Sequence, residues 1–139
     1  MDVRTHRAID HQRCGTPESV GEGTASVSLV PDPRMAADEH GLVHGGFVFG
    51  LADHAAMLAI NEPTVVLGSA QVRLTAPVRV GQRLLATATL AERTGKRHEV
   101  DVEVRAGDTV VLTGRMTCFV PPRHVLASKT PNAPKEDTP

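Results

Sequence analysis

The sequence predicts an α+β domain in which one apolar helix is wrapped by a curved antiparallel β-sheet, and two observations lead to this prediction. The stretch from about Gly45 to Ile60 is apolar on nearly all sides, as expected of a helix that other elements surround. Strand-like segments separated by turn residues occupy most of the chain after it. One helix packed on an antiparallel sheet is a stable two-layer arrangement.

The helix has recognisable boundaries. It starts at the glycine pair after His44, and Asn61-Glu62-Pro63 ends it. Before it, a strand is predicted from Thr24 to Val30, where Pro31-Asp32-Pro33 follows. Residues 1 to about 20 show no sustained period and are interpreted as loop.

The segments after the helix have the length and pattern of strands. The clearest runs from Lys96 to Arg105, where valine at every second position predicts one buried and one wet face. Gly68 marks a break, and the pairs Thr94-Gly95 and Gly107-Asp108 mark tight turns. The predicted strands are Thr64 to Leu67, Ser69 to Val78, Gln82 to Arg93, Lys96 to Arg105 and Thr109 to Val120.

Length and composition indicate one ordinary domain. The chain has 139 residues, enough for a single core. We predict an irregular N-terminal segment over residues 1–23, one folded domain over 24–127 and a disordered tail over 128–139. The net charge of −1 gives no basic field, so neither nucleic acid nor an anionic membrane is an expected partner. Without a signal-type segment or a long apolar run, we expect a cytoplasmic protein.

Cysteine and histidine spacing predicts no metal site. Cys14 and Cys118 are far apart in unlike contexts, and we expect two reduced thiols rather than a disulfide or zinc ligands. His40 and His44 are four residues apart, as in some metal pairs, but Gly41 disfavours a helix there and no third ligand is evident.

One acid interrupts the apolar helix. Between Phe47 and Ile60 the only strongly polar side chains are Asp53 and His54. A carboxylate in such surroundings must be paired, protonated or functional, because its desolvation is costly. At the helix start, His44-Gly45-Gly46 offers bare backbone donors suited to a carbonyl oxygen or an anion.

These features together resemble a known family. The motif Asp38-Glu39-His40-Gly41-Leu42-Val43-His44-Gly45-Gly46, followed by Leu51-Ala52-Asp53 and a strand break from Pro77 to Gly81, is similar to that of hotdog-fold acyl-CoA thioesterases of the phenylacetate-degradation type. Their pattern is an Asn, five residues, His-Gly-Gly and then an acid in the helix. The resemblance extends from about Thr24 to Val120. It implies a hotdog fold and hydrolysis of a thioester to free acid and coenzyme A.

The resemblance also implies roles for individual residues. Asp53 would be the catalytic carboxylate, acting as general base on water or as nucleophile. The Gly45 N–H, or less favourably that of Gly46, would bind the thioester oxygen, and His44 would hold that loop or contact the substrate. Asp38 stands where the family has Asn, and an ionised Asp only accepts hydrogen bonds. No cofactor is implied beyond the coenzyme A of the substrate.

Further substrate-binding candidates come from the residues themselves. Aromatic residues are scarce, so Phe47 and Phe49 are candidates for lining a pocket as well as for core packing. By strand alternation, Ser69 or Gln71 is the candidate for a polar group near Asp53. The pattern leaves the acyl group open between an aryl and a medium aliphatic chain.

The spacing of the proposed groups predicts a dimer. Gly45 and Asp53 are eight residues apart, which on one helix is about 12 Å along the axis, too far to flank one carbonyl carbon. Two antiparallel helices across a two-fold axis would bring Gly45 of one chain to Asp53 of the other. We therefore predict a homodimer with two shared sites, which could pair further into a tetramer.

Other interpretations remain at this point. Asp53 could be a structural carboxylate and His44 a helix cap. The whole protein could be a non-enzymatic acyl-CoA sensor, although its N-terminal stretch has neither a helix-turn-helix pattern nor a basic cluster. It could also be a hotdog dehydratase or hydratase, whose motifs we do not find.

Overall fold

The computed structural model describes residues 1–127, so the predicted tail over 128–139 lies outside the described residues. Two α-helices, six strands and a 3₁₀ turn at Pro33–Met35 make up the fold. The helices are α1 (His11–Cys14) and α2 (Gly45–Ile60). The strands are β1 (Thr16–Gly21), β2 (Thr24–Leu29), β3 (Val66–Leu74), β4 (Leu84–Thr94), β5 (Arg97–Ala106) and β6 (Thr109–Phe119).

All six strands form one antiparallel sheet in the order β1-β2-β4-β5-β6-β3. Only β4, β5 and β6 form a meander of consecutive neighbours. After α2 the chain passes to the far edge and lays β3 against β6, with Val66 opposite Phe119 and Leu74 opposite Leu112. The sheet and the long helix confirm the predicted α+β hotdog fold.

The predicted boundaries hold for α2 and need correction elsewhere. Residues 1–23 are not wholly irregular, because they contain α1 and the edge strand β1. β1 was missed because its side chains are mostly exposed, so it has no hydrophobic period. β3 is one strand with a bulge between Leu67 and Ser69 rather than two strands, and it ends at Leu74 rather than Val78.

The core lies between α2 and the concave face of the sheet. Its largest fully buried side chains include Leu51, Met57, Leu58, Leu84, Leu112 and Met116. The predicted alternation of β5 holds for its valines. Glu99 is the exception, since it is buried and its carboxylate accepts from Thr117 Oγ1 at 2.8 Å and Arg97 Nε at 2.7 Å.

α2 is less enclosed than its sequence predicts. Gly46 is exposed, and Phe49, Gly50 and Asp53 are only half-buried. These positions recur at helical spacing and therefore form one stripe along the helix. A Cβ added at Gly50 would meet no atom within 4 Å. Along this stripe the rest of the described chain leaves α2 partly uncovered.

No helix within residues 1–127 is long and apolar enough to cross a membrane.

The edge strand β3 depends on a glycine in its neighbour. A Cβ on Gly114 would come within 2.6 Å of Val72 Cα, which belongs to the facing backbone and cannot rotate away. We expect Gly114→Ala to push β3 outward and to cost about 1–3 kcal/mol in the free energy of unfolding, measured by urea denaturation. Thr113→Ala, on the exposed side of the same strand, is the control and should change stability little. Equal effects of the two substitutions would contradict this packing.

Candidate active site

The start of α2 leaves one backbone donor free. His44 caps the helix, and its Nδ1 accepts the N–H of Gly46 at 2.9 Å. The Gly45 N–H belongs to the first turn, where no intrahelical acceptor exists, and it makes no hydrogen bond within residues 1–127. Of the two glycines considered for an oxyanion donor, Gly45 is therefore the one whose N–H is available.

His44 has the capping role that the sequence left open. Because its Nδ1 accepts a hydrogen bond, the neutral ring carries its proton on Nε2. A Cβ on Gly46 would approach that Nδ1 to 2.9 Å, so the second glycine gives the cap its room. Phe47 packs edge-on against the His44 ring, with centroids 6.3 Å apart.

Asp38 shapes the loop before the helix. Its Oδ1 accepts the N–H of His40 at 2.9 Å and that of Leu42 at 3.2 Å. Asp38 makes no hydrogen bond to His44 within the described chain, and His44 N–H donates instead to the carbonyl of Met35 at 2.9 Å. Accepting from N–H groups is a role an Asn oxygen also fills, so this loop geometry tolerates Asp where the resembled family has Asn.

No hydrogen bond within residues 1–127 offsets the desolvation of Asp53 Oδ1. Its Oδ1 is buried and has no hydrogen-bond partner among residues 1–127. Burial raises the pKa of Asp53 from 3.8 to about 6. The pairing with a buried donor that a structural carboxylate would need is not found in this part of the chain. A carboxyl with a pKa close to neutrality is suited to take up and release a proton.

Asp53 opens into a cavity of about 350 Å³. Its polar neighbours there are Thr5, His6, Thr64 and His124, and its apolar neighbours are Met57, Pro63, Val65, Val66 and Leu67. No sequence pattern pointed to Thr5 and His6, because they lie in a segment without periodicity and far from Asp53 along the chain.

Ser69 and Gln71 do not supply the predicted polar group beside Asp53 within the chain. Ser69 follows the bulge in β3 and is exposed. Gln71 lines a different cavity of about 740 Å³, together with Phe49 and Arg73. The bulge changes the phase of the strand after Leu67, and β3 lies at the outer edge of the sheet. The roles of Ser69 and Gln71 in substrate binding stay predictions.

Gly45 and Asp53 face different spaces within one chain. Gly45 lines a mainly apolar cavity of about 350 Å³ with Val48, Leu74 and other residues from the Leu42–Val43 and Thr75–Val78 segments. Asp53 lies two helical turns further on, and the residues around its cavity include none of these. The two groups can therefore act on one carbonyl only if a second chain supplies one of them.

Two further reactive side chains near Asp53, Cys118 and His54, belong to the core. Cys118 is free and buried, and burial together with the charge of Asp53 raises its pKa to about 12. His54 is buried, its Nδ1 lies 3.0 Å from the carbonyl oxygen of Cys14, and its ring stacks on His11. Within residues 1–127 no group of three or more His, Cys, Asp or Glu side chains is arranged to hold a metal ion.

Comparison with known proteins places this geometry in context. The family model described as Thioesterase superfamily matches residues 40–113, which include both His44-Gly45-Gly46 and Asp53. An uncharacterized protein, PH1136 from Pyrococcus horikoshii, is 50% identical, with a TM-score of 0.90 over 91% of this chain and 98% of that one. An Asn-to-Asp mutant of the phenylacetic acid degradation protein PaaI from Thermus thermophilus is 28% identical, with a TM-score of 0.71 over 78% of this chain and 96% of that one.

The curated relatives have diverse names and are longer than the matched region. Methylthioribose-1-phosphate isomerase of Aquifex aeolicus (strain VF5) is 46% identical over 114 residues, which are 82% of this chain and 25% of that protein. Transcription factor FapR of Thermoanaerobacter sp. (strain X514) is 29% identical over 105 residues, 70% of this chain and 52% of that protein. This chain thus spans a quarter to a half of these two relatives. The family match covers more than half of the chain, which therefore belongs to the thioesterase superfamily.

Proposed function

We propose that the protein is an acyl-CoA thioesterase whose active site is shared between two subunits. The observation that carries the proposal is the buried Oδ1 of Asp53, which has no hydrogen-bond partner among residues 1–127, on the same helix whose first N–H is free within those residues. An uncompensated buried carboxylate costs stability, and such costs are concentrated at functional sites. The similarity to the phenylacetic acid degradation protein PaaI adds support at the level of the family.

Asp53 acts as general base in this proposal. It takes a proton from a water molecule whose oxygen attacks the thioester carbon, and the carbonyl electron pair moves onto the oxygen. The N–H of Gly45 from the second subunit donates to that oxyanion, an interaction typically worth about 2.7–4 kcal/mol. Collapse of the intermediate breaks the carbon–sulfur bond, and the thiolate of coenzyme A leaves and receives the proton from Asp53.

A homodimer completes the site. The uncovered stripe of α2 at Gly46, Gly50 and Asp53 gives a second copy of the helix room for close approach. The edge strand β3 is largely exposed, and Leu74 at its end is 52% exposed. A partly uncovered helix stripe beside an exposed sheet edge gives a two-fold related copy a surface on which to pack. Further pairing into a dimer of dimers is compatible with this arrangement.

The acyl group would occupy the apolar space beside Gly45. That cavity is lined largely by aliphatic side chains. Phe49, one helical turn after Gly45 on α2, lines the cavity of about 740 Å³. Such a lining suits an aryl or a medium-chain acyl group. The substrate we propose is therefore an aryl- or medium-chain acyl-CoA.

A second candidate is a non-enzymatic sensor of acyl-CoA on the same fold. The similarity to Transcription factor FapR favours it. A sensor gains nothing from a desolvated and unpaired carboxylate, whereas a hydrolase does, and Asp53 therefore decides our order of preference. A sensor would bind acyl-CoA without releasing free thiol.

The first prediction concerns the rate of thiol release from a panel of acyl-CoAs. We expect wild-type kcat/KM to rise with pH through about 6, because Asp53 must be ionised to act as base. Asp53→Asn should lower kcat by about 100-fold to 10,000-fold. Asp101→Asn, the same substitution at an exposed site on β5, is the control and should retain wild-type activity. Equal rates for wild type and Asp53→Asn would exclude Asp53 from the chemistry, and binding without turnover would favour the sensor.

The second prediction concerns stability. The pKa of Asp53 is higher in the folded state than its ordinary value of 3.8, so folding favours the protonated carboxyl. Its contribution to stability is therefore greatest below pH 4 and is lost as the pH rises through about 6. Asparagine carries no charge, so Asp53→Asn escapes this loss. Its free energy of unfolding, taken relative to that of wild type, should therefore rise by about 1–3 kcal/mol between pH 4 and pH 8. Urea denaturation at both pH values measures this gain, and a pH-independent difference would show that the carboxylate is compensated.

A further inference from the structure

The side chain of Asn61 binds the N-terminal segment to the C-terminal end of α2. Asn61 caps α2 in the left-handed conformation, with φ of 55°. Its Oδ1 accepts the N–H of Arg4 at 2.8 Å, and its Nδ2 donates to the carbonyl of Asp2 at 2.7 Å. These two bonds fix the backbone immediately before Thr5 and His6, the two residues that reach the Asp53 cavity.

His6 is held in one orientation by its neighbour. Thr5 is only 4% exposed, and its Oγ1 lies 2.8 Å from His6 Nδ1. A buried hydroxyl needs an acceptor for its proton, and within the described residues His6 Nδ1 is the partner recorded for it. With the hydroxyl as the donor to Nδ1, the neutral imidazole carries its proton on Nε2.

The backbone of His6 also shows that its position is imposed. Its φ is 53°, a left-handed conformation that is uncommon for residues other than glycine. Strain of this kind persists only where the surroundings determine the conformation, and it is concentrated at functional sites. Here the backbone before His6 is held by the hydrogen bonds of Asn61 and by the buried Thr5, and these contacts impose the conformation of His6.

His6 and Asp53 supply complementary groups to one cavity. Both line the space of about 350 Å³. His6 as a whole residue is exposed, and desolvation of its ring by the surrounding residues lowers its pKa, which favours the neutral form. A water molecule in this cavity has both a neutral imidazole and a carboxylate among the residues around it. An N–H donor and a carboxylate acceptor are the two partners that an oriented water molecule needs.

We propose that His6 is a further catalytic residue, whose Nε2–H binds and orients the water that Asp53 activates; this inference rests on the proposed function. The water donates one proton to Asp53 and accepts the His6 N–H with one lone pair. Its other lone pair forms the bond to the thioester carbon. His6 keeps its own proton throughout, so its contribution is the orientation of the attacking oxygen.

The test compares two substitutions that share the same backbone strain. His6→Leu removes the donor, whereas His6→Gln retains an N–H near the position of Nε2. We expect His6→Leu to lower kcat for acyl-CoA hydrolysis about 10-fold to 100-fold with KM nearly unchanged, and His6→Gln to restore most of the loss. His11→Leu is the control, because His11 stacks on His54 and does not line the cavity, and it should leave kcat unchanged.

A second substitution keeps the test decisive if His6→Leu folds poorly by thermal denaturation. Thr5→Val preserves shape and releases His6 Nδ1, so kcat should fall in the same direction but by less. In a double variant with His6→Gln, whose amide does not need Thr5, the Thr5→Val substitution should lower kcat little further. The role of His6 would be overturned if His6→Leu left kcat unchanged or changed only KM, or if His6→Gln were no more active than His6→Leu. These outcomes would leave the proposed thioesterase function standing. A wild type that hydrolyses no acyl-CoA would overturn the proposed function and this role with it.

Discussion

The desolvation of one carboxylate is the constraint on which the rest of this molecule depends. α2 must be apolar because the sheet encloses it on most sides, and Asp53 is placed in the middle of that apolar surface. Its Oδ1 finds no partner within residues 1–127, and burial raises its pKa to about 6. The helix that stabilises the fold by burying aliphatic side chains is therefore also the element that destabilises it through one charge. A proton-accepting role near neutral pH gives this arrangement a physical purpose.

Much of the fold follows from hydrophobic patterning. The bounds of α2 and the β4–β6 meander were predictable, because helix caps, turn glycines and alternating valines are local signals. The position of β3 beside β6 was not, since pairing across the sheet is a tertiary choice that leaves no mark on the strand itself. β1 was hidden for a related reason, because an exposed edge strand needs no apolar face.

The candidate site, too, has parts that local sequence signals predict and parts that depend on tertiary contacts. The motif around His44 and the acid at Asp53 were evident because their spacing along one helix is a local property. The availability of the Gly45 N–H, in contrast to that of Gly46, required the cap geometry. The places of Ser69 and Gln71 could not be derived from alternation alone, because a bulge alters the alternation of β3. His6, one of the histidines that line the cavity, comes from an irregular segment, where tertiary contacts through Asn61 define its place.

The central claim is that each active site combines Asp53 of one subunit with the Gly45 N–H of the other, and mixed dimers test it most directly. Gly45→Pro removes that N–H, and the helix tolerates it, because proline is accepted in the first turn and His44 already has the extended conformation it requires. The added Cβ would lie 3.0 Å from Leu74 Cδ2, so Gly45→Ala, which keeps the N–H and adds the same Cβ, is the matched control. Gly45→Pro and Asp53→Asn should each be nearly inactive alone. Co-expressed, they should form heterodimers with one intact site and recover about a quarter of wild-type activity. A mixture no more active than the two variants assayed separately would contradict a shared site.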